Sequence, residues 1–434
     1  MTRNLINAIG LALCSLFMLM SEPLSAQPSV GCDPHRTRLI PYLTASAAEA
    51  RSLESQRYMQ PISQWERPET NVLRAKYIYP FSWLERQVYL RVEDAGQPYE
   101  VYINGKLAGS SRNGFAAAEF NITKISREEL NDVEIRLLPA DEVCKIECFE
   151  HTSRPLTAYV ISQPRIRVRD VAWNTEIGMG GIVNSNFEVV MHNATLGNKK
   201  STLYYELYLN DTVRLGGGHR DVALGKYGVD TMRFGFALSD TLLCSGTKPA
   251  NIKLQLKNRV EGRDVEFYCF PVSLRELRYQ SGKFYINSEA HDIEFEKMSP
   301  ASTVADVMKA VERGVRNIRF TAGCVADEVL DYCDSEGLFV ALTAPINSSS
   351  SGSSRKRGGN PSNSPKWRAD YIERALQLYY TTKRHTSVVA YVLADESANG
   401  IALYESYLAL KAVVRNRPVF YFDGSGEWNS DHLR

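Results

Sequence analysis

The strongest constraint on this chain is a change in its hydrophobic periodicity near residue 277. Before that position, short segments alternate apolar and polar residues, and Gly, Asn and Asp separate them. After it, strand-like segments alternate with helical stretches, in one of which Val304, Val307 and Val311 share a face. A period of two indicates half-buried strands, whereas alternating strands and helices indicate a parallel sheet. We therefore expect a multidomain protein in which β domains precede an α/β domain.

Residues 77–163 are predicted to form a first β-sandwich. Residues 99–103 alternate in period two, and Asn104-Gly105 follows immediately. An Asn-Gly pair beside such a segment favours a tight hairpin, because both residues tolerate positive φ. Further strand-like runs recur at short intervals, a rhythm typical of all-β sandwiches. The preceding residues 27–76 are expected to be an N-terminal extension with a short helix within residues 45–55.

A second β block covers residues 165–273 and has the size and rhythm of an immunoglobulin-like sandwich. Its strand-like segments are Phe187–Met191, Leu203–Tyr208, Met232–Phe236, Ile252–Leu256 and Val265–Phe270. Residues 280–434 then alternate strand-like and helix-like segments, which predicts consecutive βα units. The predicted strands cover residues 284–286, 317–320, 338–342, 388–393 and 418–422.

The first 26 residues have the pattern of a secretory signal. Arg3 precedes an apolar run from Ile9 to Met20, which is short for a membrane-spanning helix, and Ala26 is a small residue at a cleavage position. An uncleaved anchor is the alternative. No later stretch is apolar enough to span a bilayer, so we expect an exported chain without a membrane span. Its predicted location is the periplasm, the cell surface or the outside of the cell.

Charge and cysteine content argue against several partners and cofactors. Lys and Arg number 51 and Asp and Glu 50, so no field of one sign favours nucleic acid or an anionic membrane. Seven cysteines follow the signal, an odd number. Cys144 and Cys148 are close in sequence, and Cys244 and Cys269 fall in strand-like surroundings, which leaves the disulfide pairing open. No Cys and His cluster has zinc spacing, so we expect neither a metal nor a cofactor.

Several segments resemble, in their shared order, those of one enzyme family. In the first sandwich they are Val88–Val92, Val101–Lys106 and Glu119–Thr123. In the α/β part they are Gly314–Arg319, Leu330–Val340, Arg384–Val389, Asp395–Gly400 and Arg417–Val419. Together they resemble glycoside hydrolase family 2, which includes β-galactosidases and β-glucuronidases. The resemblance covers residues 77–424 and implies a jelly-roll sugar-binding-like sandwich, an immunoglobulin-like sandwich and a partial TIM (β/α) barrel.

By this resemblance Glu396 is the catalytic acid/base. It follows a buried apolar strand, and TIM barrels carry their active sites at the carboxyl ends of the strands. A partly desolvated carboxylate there can keep its proton near neutral pH and act as a general acid. The alternative is a solvated Glu that caps the next helix. Asp395, Arg319 and His291 are the candidate substrate-binding residues, and we expect Arg319, His291 and Glu289 on the same rim as Glu396.

Departures from the family predict a truncated and degenerate catalytic barrel. Asp395 stands where the family has an Asn that contacts the sugar, and two adjacent carboxylates change the local charge. The third strand of this part ends in Leu342-Thr343-Ala344-Pro345 without the family's usual Glu. The family's nucleophilic Glu lies on a late strand that these residues do not include, so we predict no nucleophile.

Two functions follow from these features. The first is an exported, non-catalytic binding or scaffold subunit of the cell envelope. The alternative is a divergent retaining β-glycosidase, similar to β-galactosidases, that hydrolyses O-glycosyl bonds with Glu396 as acid/base. We expect the lone chain to be inactive, because retention needs a second carboxyl group about 5 Å from the first. The expected partners are a glycan, another envelope protein or a chain that completes the barrel.

Overall fold

The computed structural model describes residues 31–51, 57–139, 145–148, 156–422 and 429–431. The predicted signal, residues 1–26, lies outside the described residues, as does Cys144. Two antiparallel β-sandwiches are followed by a parallel sheet with helices, which confirms the predicted fold class. Among the described helices, none combines the length and the apolar character that crossing a bilayer requires.

The first sandwich consists of two antiparallel sheets. Its strands are β1 Met59–Ile62, β2 Glu66–Glu69, β3 Val72–Tyr79, β4 Gln87–Asp94, β5 Tyr99–Ile103, β6 Lys106–Ser111, β7 Ala118–Asn121, β8 Glu129–Leu137 and β9 Thr157–Gln163. One sheet has the order β1-β9-β4-β7, and the other has the order β2-β3-β8-β5-β6. Asn104-Gly105, with φ of 51° and 76°, makes the predicted hairpin turn between β5 and β6.

This sandwich begins earlier in the chain than predicted. Strands β1, β2 and β3 all start before residue 77 and belong to its two sheets, so much of the predicted N-terminal extension is part of the sandwich. Strand β2 is exposed along its whole length at a sheet edge. Because an exposed edge strand buries neither face, it carries no alternating pattern that sequence inspection can detect.

The second sandwich also consists of two antiparallel sheets. Its strands are β10 Ile166–Ile177, β11 Val183–Asn193, β12 Lys199–Leu209, β13 Val213–Leu224, β14 Val229–Leu238, β15 Ile252–Val260 and β16 Arg263–Val272. The orders are β10-β11-β14 and β13-β12-β15-β16. Fully buried residues such as Phe187, Leu203 and Leu254 fill the space between the sheets, as the period-two segments predicted.

The last part of the described chain is a five-stranded parallel sheet with helices. Its strands, in sheet order, are β20 Glu296–Met298, β21 Asn317–Phe320, β22 Phe339–Thr343, β23 Val388–Val392 and β24 Val419–Phe420. The helices are α2 Val304–Glu312, α3 Asp327–Glu336, α4 Arg368–Thr382 and α5 Ile401–Val413, and α1 Ala45–Ala50 lies near the N-terminus. Each of these described α-helices matches a predicted segment. Strands β22 and β23 are buried along their whole length, as in parallel sheets covered on both faces.

The first parallel strand is not the one predicted. Residues 284–286 lie in β18, part of a small antiparallel sheet of β17 Leu277–Gln280, β18 Lys283–Ile286 and β19 Glu289–His291. Ser281-Gly282 and Asn287-Ser288 adopt positive φ at both residues and fold the chain back twice. Such two-residue turns connect antiparallel strands. The sheet packs its apolar side chains, among them Phe284 and Ile286, against one face of the parallel sheet.

Residues 31–42 form a strap that contacts all three parts of the protein. Its contacts are Arg36 with Glu119 of the first sandwich, Thr37 with Asp170 of the second, and Arg38 with Asp327 of α3. Leu39 is fully buried in the core of the second sandwich. The strap therefore joins the three parts through buried or half-buried side chains.

The structure also bears on the cysteines. Cys244 and Cys269 are both buried and are not linked by a disulfide. Burial raises the pKa of the Cys269 thiol, which makes it a poor nucleophile.

Candidate functional site

Arg319 and Asp395 meet at the carboxyl end of the parallel sheet. Arg319 lies on β21 between Ile318 and Phe320, which pack among the helices, so its side chain points to the opposite face. The Arg319 guanidinium makes an ion pair with one oxygen of Asp395. The backbone N–H of Ala322 donates to the other oxygen at 2.6 Å. Both oxygens of the Asp395 carboxylate are therefore engaged within the protein.

Arg319 has further neighbours that hold its guanidinium in place. Its Nε donates to Thr343 Oγ1 at 3.5 Å, at the end of β22. The guanidinium carbon lies 4.5 Å from the ring centre of Phe422, which follows β24 and is 41% exposed. A cation over an aromatic face is attracted by the ring quadrupole. The buried Arg319 is thus the link between strands β21, β22 and β24 at this end of the sheet.

Glu396 extends from the same end of the sheet into solvent. Within the described part of the chain its carboxylate has no hydrogen bond or ion pair, and its backbone φ is +37°. The left-handed conformation costs a non-glycine residue about 1–2 kcal/mol. Its neighbours hold it there: Asp395 N donates to Ile346 O at 2.9 Å, and Ser348 N donates to Ser397 Oγ at 3.1 Å. The backbone at Glu396 is therefore held in place by its neighbours, while its side chain is exposed.

A short segment of the first sandwich completes this end of the sheet. Glu147 pairs with Asn347, and Asn347 pairs with Asp395, as successive parallel bridges. The Glu147 carboxylate is buried and makes an ion pair with Arg374 of α4. The sequence contains no pattern that points to Glu147, because its partner lies 227 positions away. We define the rim as Glu147, Arg319, Asn347, Asp395, Glu396 and Phe422.

His291 and Glu289 do not join the rim, so the prediction that they share it is wrong. Both lie on β19 of the antiparallel sheet. The ring of His291 is 6.2 Å from the ring of Phe339, the first residue of β22, whereas Arg319 contacts Thr343, the last. At 3.3 Å per residue these positions are about 13 Å apart along the strand. The two hairpin turns carry His291 to the amino end of the sheet, away from Glu396.

A cavity of about 460 Å³ lies between the first sandwich and the carboxyl end of the parallel sheet. Its walls include Arg91, Phe115 and Cys324, together with Thr343, which also contacts Arg319. Its volume is in the range of small-molecule pockets, and such pockets favour domain interfaces. Thr343 therefore lies between the cavity and Arg319, whereas none of the six rim residues lines the cavity itself.

Asp331, Asp334 and His385 form a group whose ligand atoms lie within 4.8 Å of one another. His385 Nδ1 is 2.7 Å from Asp334, whose other oxygen accepts hydrogen bonds from Ser387. Burial raises the pKa of Asp334, but His385 and Ser387 outweigh that effect and hold the pKa below its usual range. His385 Nδ1, the nitrogen that faces the two carboxylates, is already hydrogen-bonded to Asp334. The group therefore fits a structural link between α3 and the start of β23.

Comparisons with known proteins agree with this architecture. Residues 288–433 match the family described as glycosyl hydrolases family 2, TIM barrel domain. The β-galactosidase of Priestia megaterium (strain DSM 319 / IMG 1521) is 21% identical over 376 residues, covering 78% of this chain and 35% of that protein. The β-galactosidase of Lactobacillus delbrueckii subsp. bulgaricus is 23% identical over 361 residues, covering 77% and 35%. The chain thus spans about a third of the length of these relatives.

Solved structures share the fold at low identity. Bacteroides uniformis β-glucuronidase superimposes with a TM-score of 0.68 at 16% identity, over 81% of this chain and 46% of that one. A Ruminococcus gnavus β-glucuronidase gives a TM-score of 0.64 at 15% identity, over 81% and 62%. The sequence matches and the shared fold agree. The chain is therefore similar to proteins of glycoside hydrolase family 2, and residues 288–433 match that family's TIM barrel domain.

Proposed function

We propose that this chain binds a β-linked glycan at the rim and does not hydrolyse it by itself. The observation that carries the proposal is the state of Asp395, whose two oxygens are bound by Arg319 and by the N–H of Ala322. Glu147, the other carboxylate of the rim besides Glu396, is buried in an ion pair with Arg374. Among the rim residues that the structure describes, Glu396 is thus the carboxylate that is free to act on a ligand.

With one free carboxylate among the described residues of the rim, binding is better supported than hydrolysis. A retaining glycosidase uses two carboxyl groups about 5 Å apart, one as acid/base and one as nucleophile. General acid catalysis alone contributes about 10² to 10⁴ in rate, well below the accelerations of about 10⁶ or more that enzymes reach. Phe422 and Glu396 offer an exposed aromatic ring and a hydrogen-bond acceptor, which suit sugar rings and hydroxyl groups.

Hydrolysis with Glu396 as acid/base is the second candidate function. One feature favours it: Glu396 is exposed and held in a left-handed conformation at the carboxyl end of a barrel strand. Strained residues of this kind concentrate at functional sites. The relatives named β-galactosidase and β-glucuronidase make β-galactosides and β-glucuronides the first ligands to test.

The experiment measures binding and turnover on the same protein. Isothermal titration with p-nitrophenyl β-galactoside and β-glucuronide tests binding, and release of nitrophenol tests turnover. We expect saturable binding of one glycoside and no turnover above background. The variant Glu396→Gln should weaken binding, whereas Glu312→Gln, an exposed Glu at the end of α2, is the matched control and should not. Robust turnover that Glu396→Gln abolishes would overturn the proposal and establish the second candidate.

We also propose that the chain is exported and acts in the cell envelope. Arg3, the apolar run from Ile9 to Met20 and Ala26 support this location. Partners of the proposed subunit are a glycan and either an envelope protein or a chain with further barrel strands. Cell fractionation with N-terminal sequencing tests export: a mature chain outside the cytosol that starts after residue 26 is expected, and an intact chain in the cytosol would contradict it.

A further inference from the structure

The segment Lys145–Cys148 leaves the first sandwich and enters the α/β part. Ile146 is fully buried in the core that also holds Leu342 and Ala394. A side chain from the first sandwich therefore packs in the core of the parallel sheet. The segment is part of that sheet's structure rather than a loop resting on its surface.

The backbone of this segment extends the parallel sheet at the rim. Asn347 N donates to Ile146 O at 2.9 Å, and Cys148 N donates to Asn347 O at 2.9 Å. On its other side Asn347 pairs with Asp395, and Asp395 N donates to Ile346 O. The order across the rim is thus Glu147, Asn347 and Asp395. Residues 346–348 are held between the first sandwich on one side and the residues around Glu396 on the other.

The side chain of Glu147 fixes the segment in this register. Its carboxylate pairs with Arg374, and both side chains are almost completely buried. Arg374 also donates to Pro345 O at 2.6 Å and to Arg112 O at 3.3 Å. A buried charge is tolerated only with its partner in place. A shift of the segment along the sheet would separate this pair.

We propose that the first sandwich completes the candidate glycan site and that Glu147 is the positioning residue that holds Asp395 and Glu396 in place. Glu147 acts through Asn347 and its neighbours and does not itself touch the ligand. Residues 346–348 bond the backbone N–H of Asp395 and the side-chain hydroxyl of Ser397, on either side of Glu396, and thereby hold its left-handed conformation. The part of the proposal that concerns the glycan rests on the proposed function above.

Hydrogen exchange followed by mass spectrometry tests the positioning role on the full chain. In Glu147→Gln, which leaves Arg374 without its counter-charge, we expect exchange in peptides covering residues 345–349 and 393–398 to rise about tenfold, because their local opening becomes easier. Glu147→Asp keeps the charge on a shorter side chain and should give an intermediate rise. Asp370→Asn is the matched control, because Asp370 is equally buried and binds Arg112 across the same interface. We expect it to leave both peptides unchanged.

Titration with p-nitrophenyl β-galactoside and β-glucuronide on the same variants separates positioning from the proposed function. Weaker binding in Glu147→Gln together with faster exchange at 393–398 supports the whole proposal. Unchanged exchange at 393–398, or an equal rise in Asp370→Asn, overturns the positioning role even if the wild type binds a glycoside. Faster hydrogen exchange with unaltered affinity for the glycoside overturns the role of Glu147 in the site.

Absence of glycoside binding by the wild type refutes the proposed function, while the exchange data still decide the positioning role. If Glu147→Gln does not fold, Glu147→Asp decides, with peptides of β11 and β15 as the folding reference.

Discussion

At the residue scale, the ion pair between Arg319 and Asp395 changes the chemistry of the rim. By resemblance the family has an Asn beside the acid/base Glu, and an amide there both donates and accepts. In this chain Asp395 accepts only, and Arg319 and Ala322 supply its donors. The extra negative charge next to Glu396 is therefore balanced within the protein. The same pairing removes Asp395 from the groups that a ligand can freely use.

The first prediction concerns this pair. Arg319→Met should lower the free energy of unfolding by about 3 kcal/mol, because it leaves a half-buried carboxylate without its partner. Adding Asp395→Asn to the Arg319→Met variant should recover part of the lost stability, because the unpaired negative charge of Asp395 is then removed. A double-mutant cycle from urea denaturation measures the coupling, expected at about 1–3 kcal/mol.

A double-mutant cycle of Arg74→Met and Glu134→Gln is the control for the first prediction. Arg74 pairs with Glu134 at the surface and is 53% exposed, and exposed pairs contribute about 1 kcal/mol or less. A coupling energy between Arg319 and Asp395 no larger than that of the surface pair would contradict the expected role.

The second prediction concerns Glu119, which lies under the strap. Burial raises the pKa of its carboxyl, but Arg36 and Arg91 outweigh burial and lower the pKa from 4.5 to about 2. A carboxyl group whose pKa is lower in the folded state stabilises the fold at pH values above its unfolded-state pKa. This stabilisation is lost as the pH falls through the folded-state pKa. Between pH 7 and pH 3 the wild type should therefore lose about 2 kcal/mol more stability than Glu119→Gln. Urea denaturation across this pH range measures it. Equal pH dependence of stability in the two proteins would show that the pKa of Glu119 is not lowered by folding.

At the element scale, glycines end the helices α2 and α3 in two different settings. Gly314 and Gly337 both adopt positive φ, of 91° and 68°. A Cβ on Gly314 would have no neighbour within 4 Å, whereas one on Gly337 would overlap the carbonyl oxygen of Thr247 and lie 2.8 Å from Cys244 Sγ. The end of α3 thus touches the second sandwich through backbone, and only glycine permits that approach.

The third prediction uses this matched pair. Gly314→Ala should cost about 1 kcal/mol, the strain of a left-handed alanine. Gly337→Ala should cost about 1–3 kcal/mol more, because the added methyl group also forces the two parts of the protein apart. Thermal denaturation of both variants compares them directly. Similar losses of stability in the two variants would mean that the contact between α3 and the second sandwich accommodates the added methyl group.

At the scale of the whole molecule, the strap links the three parts. Arg36 binds Glu119, and Arg38 binds Asp327 on α3, so these two arginines reach from the first sandwich to the parallel sheet. Lys383 of the α/β part makes a further ion pair with Asp170 of the second sandwich. Buried polar contacts of this kind favour one arrangement of the parts, since each requires a specific partner in reach.

The fourth prediction tests that linkage. The wild type should unfold in a single calorimetric transition, and the double variant Arg36→Ala/Arg38→Ala should show at least two, because the parts no longer unfold together. Arg136→Ala, at an exposed ion pair with Glu134, is the control and should keep one transition. A single, unshifted transition in the double variant would show that the strap does not couple the parts.

Local patterns in the sequence were sufficient to predict most elements. Period-two segments predicted the sandwiches, Asn104-Gly105 predicted its hairpin, and helical spacing predicted α2 to α5, because each of these signals depends on neighbours within a few residues. The same holds for Glu396, which follows a buried strand whose direction sets the end at which it lies. Sequence inspection did not detect the exposed edge strand β2, because its residues do not alternate in polarity. It also missed the turns at Ser281-Gly282 and Asn287-Ser288, because their polar residues resemble those of an ordinary loop.

Only the tertiary structure decided which side chains meet at the rim. Arg319 and Asp395 are 76 positions apart, and Glu147 and Arg374 are 227 apart. The three-stranded antiparallel sheet moved His291 to the opposite end of the parallel sheet, although it precedes Glu396 in the same α/β part. Pairings of this kind depend on how whole elements pack and on where charges become buried. A single sequence records the charges but not their distances, so the partners of Asp395 and Glu147 emerge only from the fold.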